Sequence, residues 1–181
     1  MGILCFGDSN TYGYDPRSFF GDRYAPEDRW VDLLADHTGL ECFNQGENGR
    51  SIPRSASGLS PEGVDLLLVM LGTNDLLQGA TAVEAARRME AFLTPLLHRR
   101  ERMILVAPPP MKRGAWVPTD TLVAASLALA EEYRLVAGKL GISFVDTRDW
   151  GIELAFDGVH FSENGHHTFA LRLEQALSFM D

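Results

Sequence analysis

Five short apolar runs constrain this chain more than any other feature: Ile3 to Phe6, Glu41 to Asn44, Asp65 to Leu71, Met103 to Ala107 and Ser143 to Asp146. They read as continuous apolar runs, not as an alternation of apolar and polar residues. A strand needs apolar residues at successive positions only when both of its faces are covered, as in a parallel sheet flanked by helices. Helical patterns fill the intervals. Asp28 to Thr38 carries Trp30, Leu33, Leu34 and His37 at helical spacing. Thr81 to Arg99 opens on a capping box, with Thr81 as cap and Glu84 reaching back. Thr119 to Leu140 stops at Gly141, a helix-ending signal, and Ser162 to Phe179 closes the chain.

Strands alternating with helices imply a three-layer α/β/α sandwich. There is no internal repeat, low-complexity tract or linker. A length of 181 residues suits one core, so residues 1–181 are expected to form a single domain around a five-stranded parallel sheet; if its order is 2-1-3-4-5, strand one lies between strands two and three. The net charge of −9 argues against a nucleic-acid partner, which needs a basic footprint. The longest apolar runs, Leu66 to Leu71 and Leu122 to Ala130, are too short to span a bilayer, so no membrane partner is expected. Cys5 and Cys42 do not make a disulfide framework. No basic-then-apolar leader precedes Ile3, and the expected location is the cytoplasm. The irregular stretch from Tyr14 to Glu27, with Phe19 and Phe20, is where a homodimer contact or a lid is expected, if these aromatics do not tuck back onto the body.

In a parallel sheet, ligands bind beyond the carboxyl ends of the strands, where the strand order reverses. With strand one between strands two and three, three loops become neighbours there. They carry Gly7-Asp8-Ser9-Asn10, Asn44-Gln45-Gly46-Glu47-Asn48-Gly49 and Gly72-Thr73-Asn74-Asp75. Glycines let backbone N–H groups approach a ligand closely. Beyond strand five comes Phe156-Asp157-Gly158-Val159-His160-Phe161. Asp157 and His160, three apart, would face the same way on a helical turn. The carboxylate would then fix the imidazole tautomer, as a histidine general base requires. A serine hydroxyl needs such a base to become a nucleophile, and Ser9 opens on the same edge of the sheet.

The blocks "GDSN", "GENG", "GTND" and "DGVH", in that order, resemble the four blocks of the SGNH, or GDSL-type, esterases and lipases. The resemblance spans essentially the whole chain. It implies a flavodoxin-like sandwich, with Ser9 as nucleophile, His160 as base and Asp157 as its partner. It also implies an oxyanion hole made by the backbone N–H groups of Ser9 and Gly49 and the side-chain amide of Asn74. "CFGDSNTYGY", "RW", "MLGTND" and "APPP" look most like a bacterial arylesterase and acyltransferase branch. One departure is Asn10, where the usual block has Leu, so a polar pocket wall is expected there.

Other residues carry plainer readings. Asp8 is expected to pin the turn backbone, and Asp75 to cap a short helix. His166 and His167 read as a surface-to-core pair on the last helix. With His160 and Asp157 they lack the spacing of a metal site, so neither metal nor cofactor is expected. Tyr12, Tyr14, Met111 and Trp116 border the pocket or merely pack. Asn10, Tyr12, Trp116 and Val159 are the candidate substrate-binding residues, and Arg50 and Arg54 could meet a polar substrate. The expected activity is hydrolysis of small esters (short acyl, aryl or acetylated-sugar) through an acyl-enzyme on Ser9. The alternatives are a thioesterase or lysophospholipase using the same residues, an inactive ligand-binding module, and a metal-dependent phosphoesterase.

Overall fold

In the computed structural model, which describes residues 2–18, 20–57, 59 and 63–178, the apolar runs pair into a five-stranded parallel sheet in the order β2-β1-β3-β4-β5. The strands are β1 (Gly2–Gly7), β2 (Glu41–Gly46), β3 (Leu66–Met70), β4 (Met103–Val106) and β5 (Ser143–Val145). The helices are α1 (Ser9–Tyr12), α2 (Trp30–Thr38), α3 (Thr73–Leu77), α4 (Ala82–Leu93), α5 (Asp120–Leu140) and α6 (Glu163–Ser178). Phe19 and Phe179 lie outside the described residues.

The continuous apolar runs of β1, β3 and β4 follow from two covered faces. Side chains alternate across a strand. Leu4, Phe6, Leu67, Val69, Met103 and Leu105 therefore pack with Met89 and Phe92 of α4 and Leu129 and Tyr133 of α5. Ile3, Cys5, Leu68, Met70, Ile104 and Val106 face the other way, onto Trp30 and Leu34 of α2 and Phe169 and Leu173 of α6. A helix as short as α2 would be marginal alone. Burial of Trp30, Val31 and Leu34 holds it, at roughly 1.5–3 kcal/mol for each large apolar side chain.

The expected elements differ from these in three places, each for a physical reason. β2 is an edge strand, and its residues alternate between exposed and half-buried instead of being covered throughout. The helix expected over Thr81 to Arg99 ends at Leu93, because Pro95 brings no N–H to an α-turn, and Thr94–Arg102 continues as 3-10 turns. The Thr81–Glu84 capping box at its start is present in both directions. Pro26–Asp28 form a separate 3-10 turn, and α2 begins at Trp30. Among the described residues no helix is long and apolar enough to cross a membrane.

Candidate active site

The strand order sets β1 between β2 and β3, so the loops after all three meet at one edge. Their contacts are specific. The Gly7 carbonyl accepts from the Glu47 N–H at 3.2 Å and from Arg50 Nη1 at 2.9 Å. Asn74 Nδ2 donates to the Arg50 carbonyl at 3.1 Å. Asp75, fully buried, accepts from the Ile52 N–H at 2.9 Å and from Arg88 at 2.8 Å. Asp75 is thus a tie between loops, and the expectation that it caps a helix is corrected: the cap position of α3 is Gly72. Gly49 lies between Glu47 and Arg50 with φ +74°, a left-handed conformation that glycine adopts without strain.

Ser9 is the first residue of α1, and a helix leaves the N–H of its first residue without an internal partner. Asp8 caps this turn by accepting from the Asn10 N–H at 3.0 Å. Ser9 Oγ lies 2.9 Å from His160 Nε2, and His160 Nδ1 lies 2.7 Å from Asp157 Oδ2. The three side chains are 5%, 3% and 1% exposed, so water competes little with these bonds. A carboxylate only accepts, so Nδ1 carries the proton and Nε2 is left to accept from the serine hydroxyl. Burial pushes the Asp157 carboxyl up, but hydrogen bonds from the His160 ring and the backbone N–H groups of His160 and Val159 outweigh it. The net effect holds Asp157 below the usual carboxylate range. Asp8 goes the other way: burial dominates and raises it to about 6, against the opposing Asn10 N–H and His160.

Asp157 and His160 meet as expected, but not across a helical turn. Asp157 Oδ1 accepts from the N–H groups of Val159 and His160, each at 2.9 Å, and so closes an Asx-type turn. Gly158 makes the turn feasible. Its φ is +81°, and a Cβ there would lie 2.1 Å from the Lys112 carbonyl. That contact belongs to a second loop packed beneath the turn. The N–H groups of Lys112, Ala115 and Trp116 donate to the carbonyls of Gly158, Phe156 and Asp157. Trp116 is thereby set with its ring 5.1 Å from that of His160, while remaining half exposed.

The remaining candidates divide. Tyr14 lies on the opposite account from Tyr12: its ring stands 4.7 Å from His160, edge to face. The ring of Tyr12 sits under the Arg23 guanidinium at 4.5 Å. Val159 is 5% exposed in the core with Met111 and Val117, and its backbone is engaged by Asp157 and Asn10. Asn10 is not a polar pocket wall. It is 5% exposed, and both ends of its amide are engaged by the backbone around His160. Arg50 is bound to Glu47 and to the carbonyls of Gly7 and Gln45, and its guanidinium covers Phe6. Arg54 is exposed.

With this geometry in place, the comparison with known proteins is direct. Residues 5–168 match the model of the GDSL-like lipase/acylhydrolase family. The chain belongs to that family. It is a carboxylic-ester hydrolase. No curated protein matches it. Among solved structures, a carbohydrate acetylesterase family member from Sinorhizobium meliloti is similar at 27% identity and TM-score 0.80, over 99% of this chain and 98% of that one. The aryl esterase of M. smegmatis, at 24% identity, shares the fold with TM-score 0.79 over 99% of both chains.

The two histidines of α6 diverge from the site. His167 pairs with Asp28 at 3.0 Å on the surface. His166 is fully buried between the rings of Tyr24 and Phe161, and its Nδ1 accepts from the Trp30 N–H at 3.4 Å. Burial first, then the electrostatic influence of His167, His160 and Arg29 nearby, pushes its pKa down to about 3. An unfolded histidine titrates near ~6.5. Between those values the unfolded chain binds a proton that the folded chain refuses. The stability is therefore whole above the unfolded value and declines as pH falls towards the folded one. Asp8 opposes this between about 3.8 and 6, where the folded chain holds a proton the unfolded chain releases. A comparison with His166→Gln cancels the Asp8 contribution. The stability difference, wild type minus variant, is expected to shrink by about 1.4 kcal/mol per pH unit between pH 6 and 4. Urea unfolding at several pH values measures it, and a constant difference would contradict a neutral buried His166.

Proposed function

We propose that the protein hydrolyses short-acyl, aryl or acetylated-sugar esters through an acyl-enzyme on Ser9, without a cofactor. The observation that carries this reading is the buried chain of hydrogen bonds from Asp157 through His160 to Ser9. Ser9 Oγ bonds to the ester carbonyl carbon while its proton passes to His160 Nε2. The carbonyl oxygen becomes an oxyanion, received by the N–H groups of Ser9 and Gly49 and by Asn74 Nδ2. One hydrogen of that amide goes to the Arg50 carbonyl, which fixes the group and leaves the second hydrogen to donate. The C–O bond to the alcohol then breaks, and His160 returns its proton to the departing oxygen. Water adds to the acyl-enzyme, losing its proton to His160, and collapse of the second tetrahedral state frees the carboxylic acid and restores Ser9.

A preference for small esters is supported by the burial of Ser9 and His160 and by the Tyr14 and Trp116 rings against His160. The acetylated-sugar member of this class is supported by the likeness to the Sinorhizobium meliloti protein. The reading takes the chain as one domain, supported by the pairing of all five strands in one sheet, in a reducing compartment. It includes self-association through the 14–27 loop, supported by Phe20, which is 87% exposed. The test is turnover on acyl esters of rising chain length alongside acetylated sugars. The expected result is highest kcat/KM on acetyl esters; a steady rise with chain length would contradict it. Within that panel Asn74→Ala should lower kcat by about 10²–10³ with little change in KM, because the oxyanion exists only in the tetrahedral state. A normal kcat with raised KM would mean that Asn74 only positions substrate.

A further inference from the structure

We propose that Asn10 is a positioning residue that buckles the His160 loop to the nucleophile turn. The proposal rests on the reading of Ser9 and His160 given above. Asn10 follows Ser9 directly, yet its side chain spans to the loop 149 and 151 residues further along the chain. Its Nδ2 donates to the Val159 carbonyl at 3.1 Å, and its Oδ1 accepts from the Phe161 N–H at 2.9 Å. These are the peptide groups on the two sides of His160. One carboxamide thus grips the backbone of the base from before and after.

The grip completes a full accounting of that backbone. The N–H groups of Val159 and His160 donate to Asp157 Oδ1. The His160 carbonyl accepts from the Ala155 N–H at 2.8 Å, and the Phe161 carbonyl accepts from the Tyr24 hydroxyl at 3.3 Å. With the two bonds from Asn10, every polar backbone group of Val159, His160 and Phe161 has a partner. Asn10 is itself held: its N–H caps onto Asp8, and its carbonyl accepts from Trp30 Nε1 at 2.9 Å. Trp30 in turn donates its N–H to His166.

In this chain the two backbone partners call for an amide at this position. It must donate to a carbonyl and accept from an N–H at once, and both partners are buried. Leucine, of nearly the same shape, does neither, and an ionised carboxylate cannot donate. Without the amide, a buried N–H and a buried carbonyl lose their partners and the loop shifts to satisfy them. His160 moves with it, away from the 2.9 Å contact with Ser9. Such a displacement acts on the reacting geometry and not on substrate affinity.

The experiment is Asn10→Leu, read in two ways. The first is steady-state kinetics on a short acyl ester, with circular dichroism to establish folding. The expected loss is about 10–10²-fold in kcat, with KM nearly unchanged. The second is the far-downfield proton resonance of His160 Nδ1–H, assigned by its disappearance in Asp157→Ala. It should broaden or vanish in Asn10→Leu as the loop admits water. The resonance depends on the imidazole–carboxylate pair and not on turnover, so it tests Asn10 even if no ester tried is hydrolysed. A folded variant with normal kcat overturns the proposal. So does a fall in kcat with the resonance unchanged, and so does a raised KM with kcat intact, which would make Asn10 a substrate contact. Should Asn10→Leu fail to fold, Asn10→Asp keeps the acceptor for Phe161 and removes the donor to Val159. Its expected loss in kcat is about tenfold with a broadened resonance, and wild-type behaviour in both overturns the proposal.

Discussion

Ser9→Ala is expected to lower kcat by about 10⁶-fold, the loss typical of removing the nucleophile from a serine–histidine pair. The size follows from the role. The proposed covalent bond forms on Ser9 Oγ, and without it water attacking directly has only the proposed oxyanion donors and His160 to help it. The fold should survive. Ser9 gives up one hydrogen bond, to His160 Nε2, while the backbone of α1 stays capped by Asp8. Circular dichroism and thermal melting should therefore match the wild type. Residual turnover within about a hundredfold of normal would be too much for a protein without its nucleophile.

Asp157→Asn is expected to cost about 10⁴-fold in kcat while leaving the geometry nearly intact. Asp157 Oδ1 accepts two backbone N–H groups, and Oδ2 faces His160 Nδ1. In the variant the single amide oxygen must stay with the two N–H donors, so the amide nitrogen faces the ring. Two donors cannot meet, and Nδ1 must give up its proton to Nε2. The imidazole then presents an N–H to the serine and can no longer accept from it. Asp8→Asn is the control: the bond found for Asp8 goes to the Asn10 N–H, which an amide oxygen can still accept. Steady-state kinetics of the two variants decide which carboxylate serves the base. A severe loss in Asp8→Asn with near-normal turnover in Asp157→Asn would reverse the assignment.

Much of this was legible in the order of residues. Runs such as Leu67 to Met70 needed two covered faces, and the glycines and small polar residues after β1, β2 and β3 marked the edge where a ligand would sit. What escaped is what depends on side chains meeting across long separations. Asn10 and Tyr12 both lie close to Ser9 in the sequence, which makes both pocket candidates. Nothing local says that the Asn10 amide turns back onto Val159 and Phe161, or that Tyr12 turns towards Arg23. The one local hint was the departure from leucine at position 10, which was read as a change of pocket wall. Tyr24 and Trp30 could not be tied to the His160 loop, because Tyr24 sits in an irregular stretch without periodicity and Trp30 reads as plain core. Edge strands are hard for a related reason. β2 opens on a short mixed segment, Glu41 to Asn44, whose exposure is set by the absence of a neighbour and not by its own composition. The helix ending at Leu93 was readable in principle from Pro95, but the apolar spacing through Leu96 and Leu97 obscured it.

The central claim is that Ser9 is a nucleophile activated by His160. A serine-directed phosphonate tests it most directly, since the reagent needs the activated hydroxyl and the oxyanion donors but no knowledge of the natural ester. Intact-mass measurement followed by peptide mapping should find one adduct per chain, on the peptide bearing Ser9, and none in Ser9→Ala. An adduct on Ser51, Ser55 or Ser57, or a wild-type chain that the reagent leaves untouched, would contradict it.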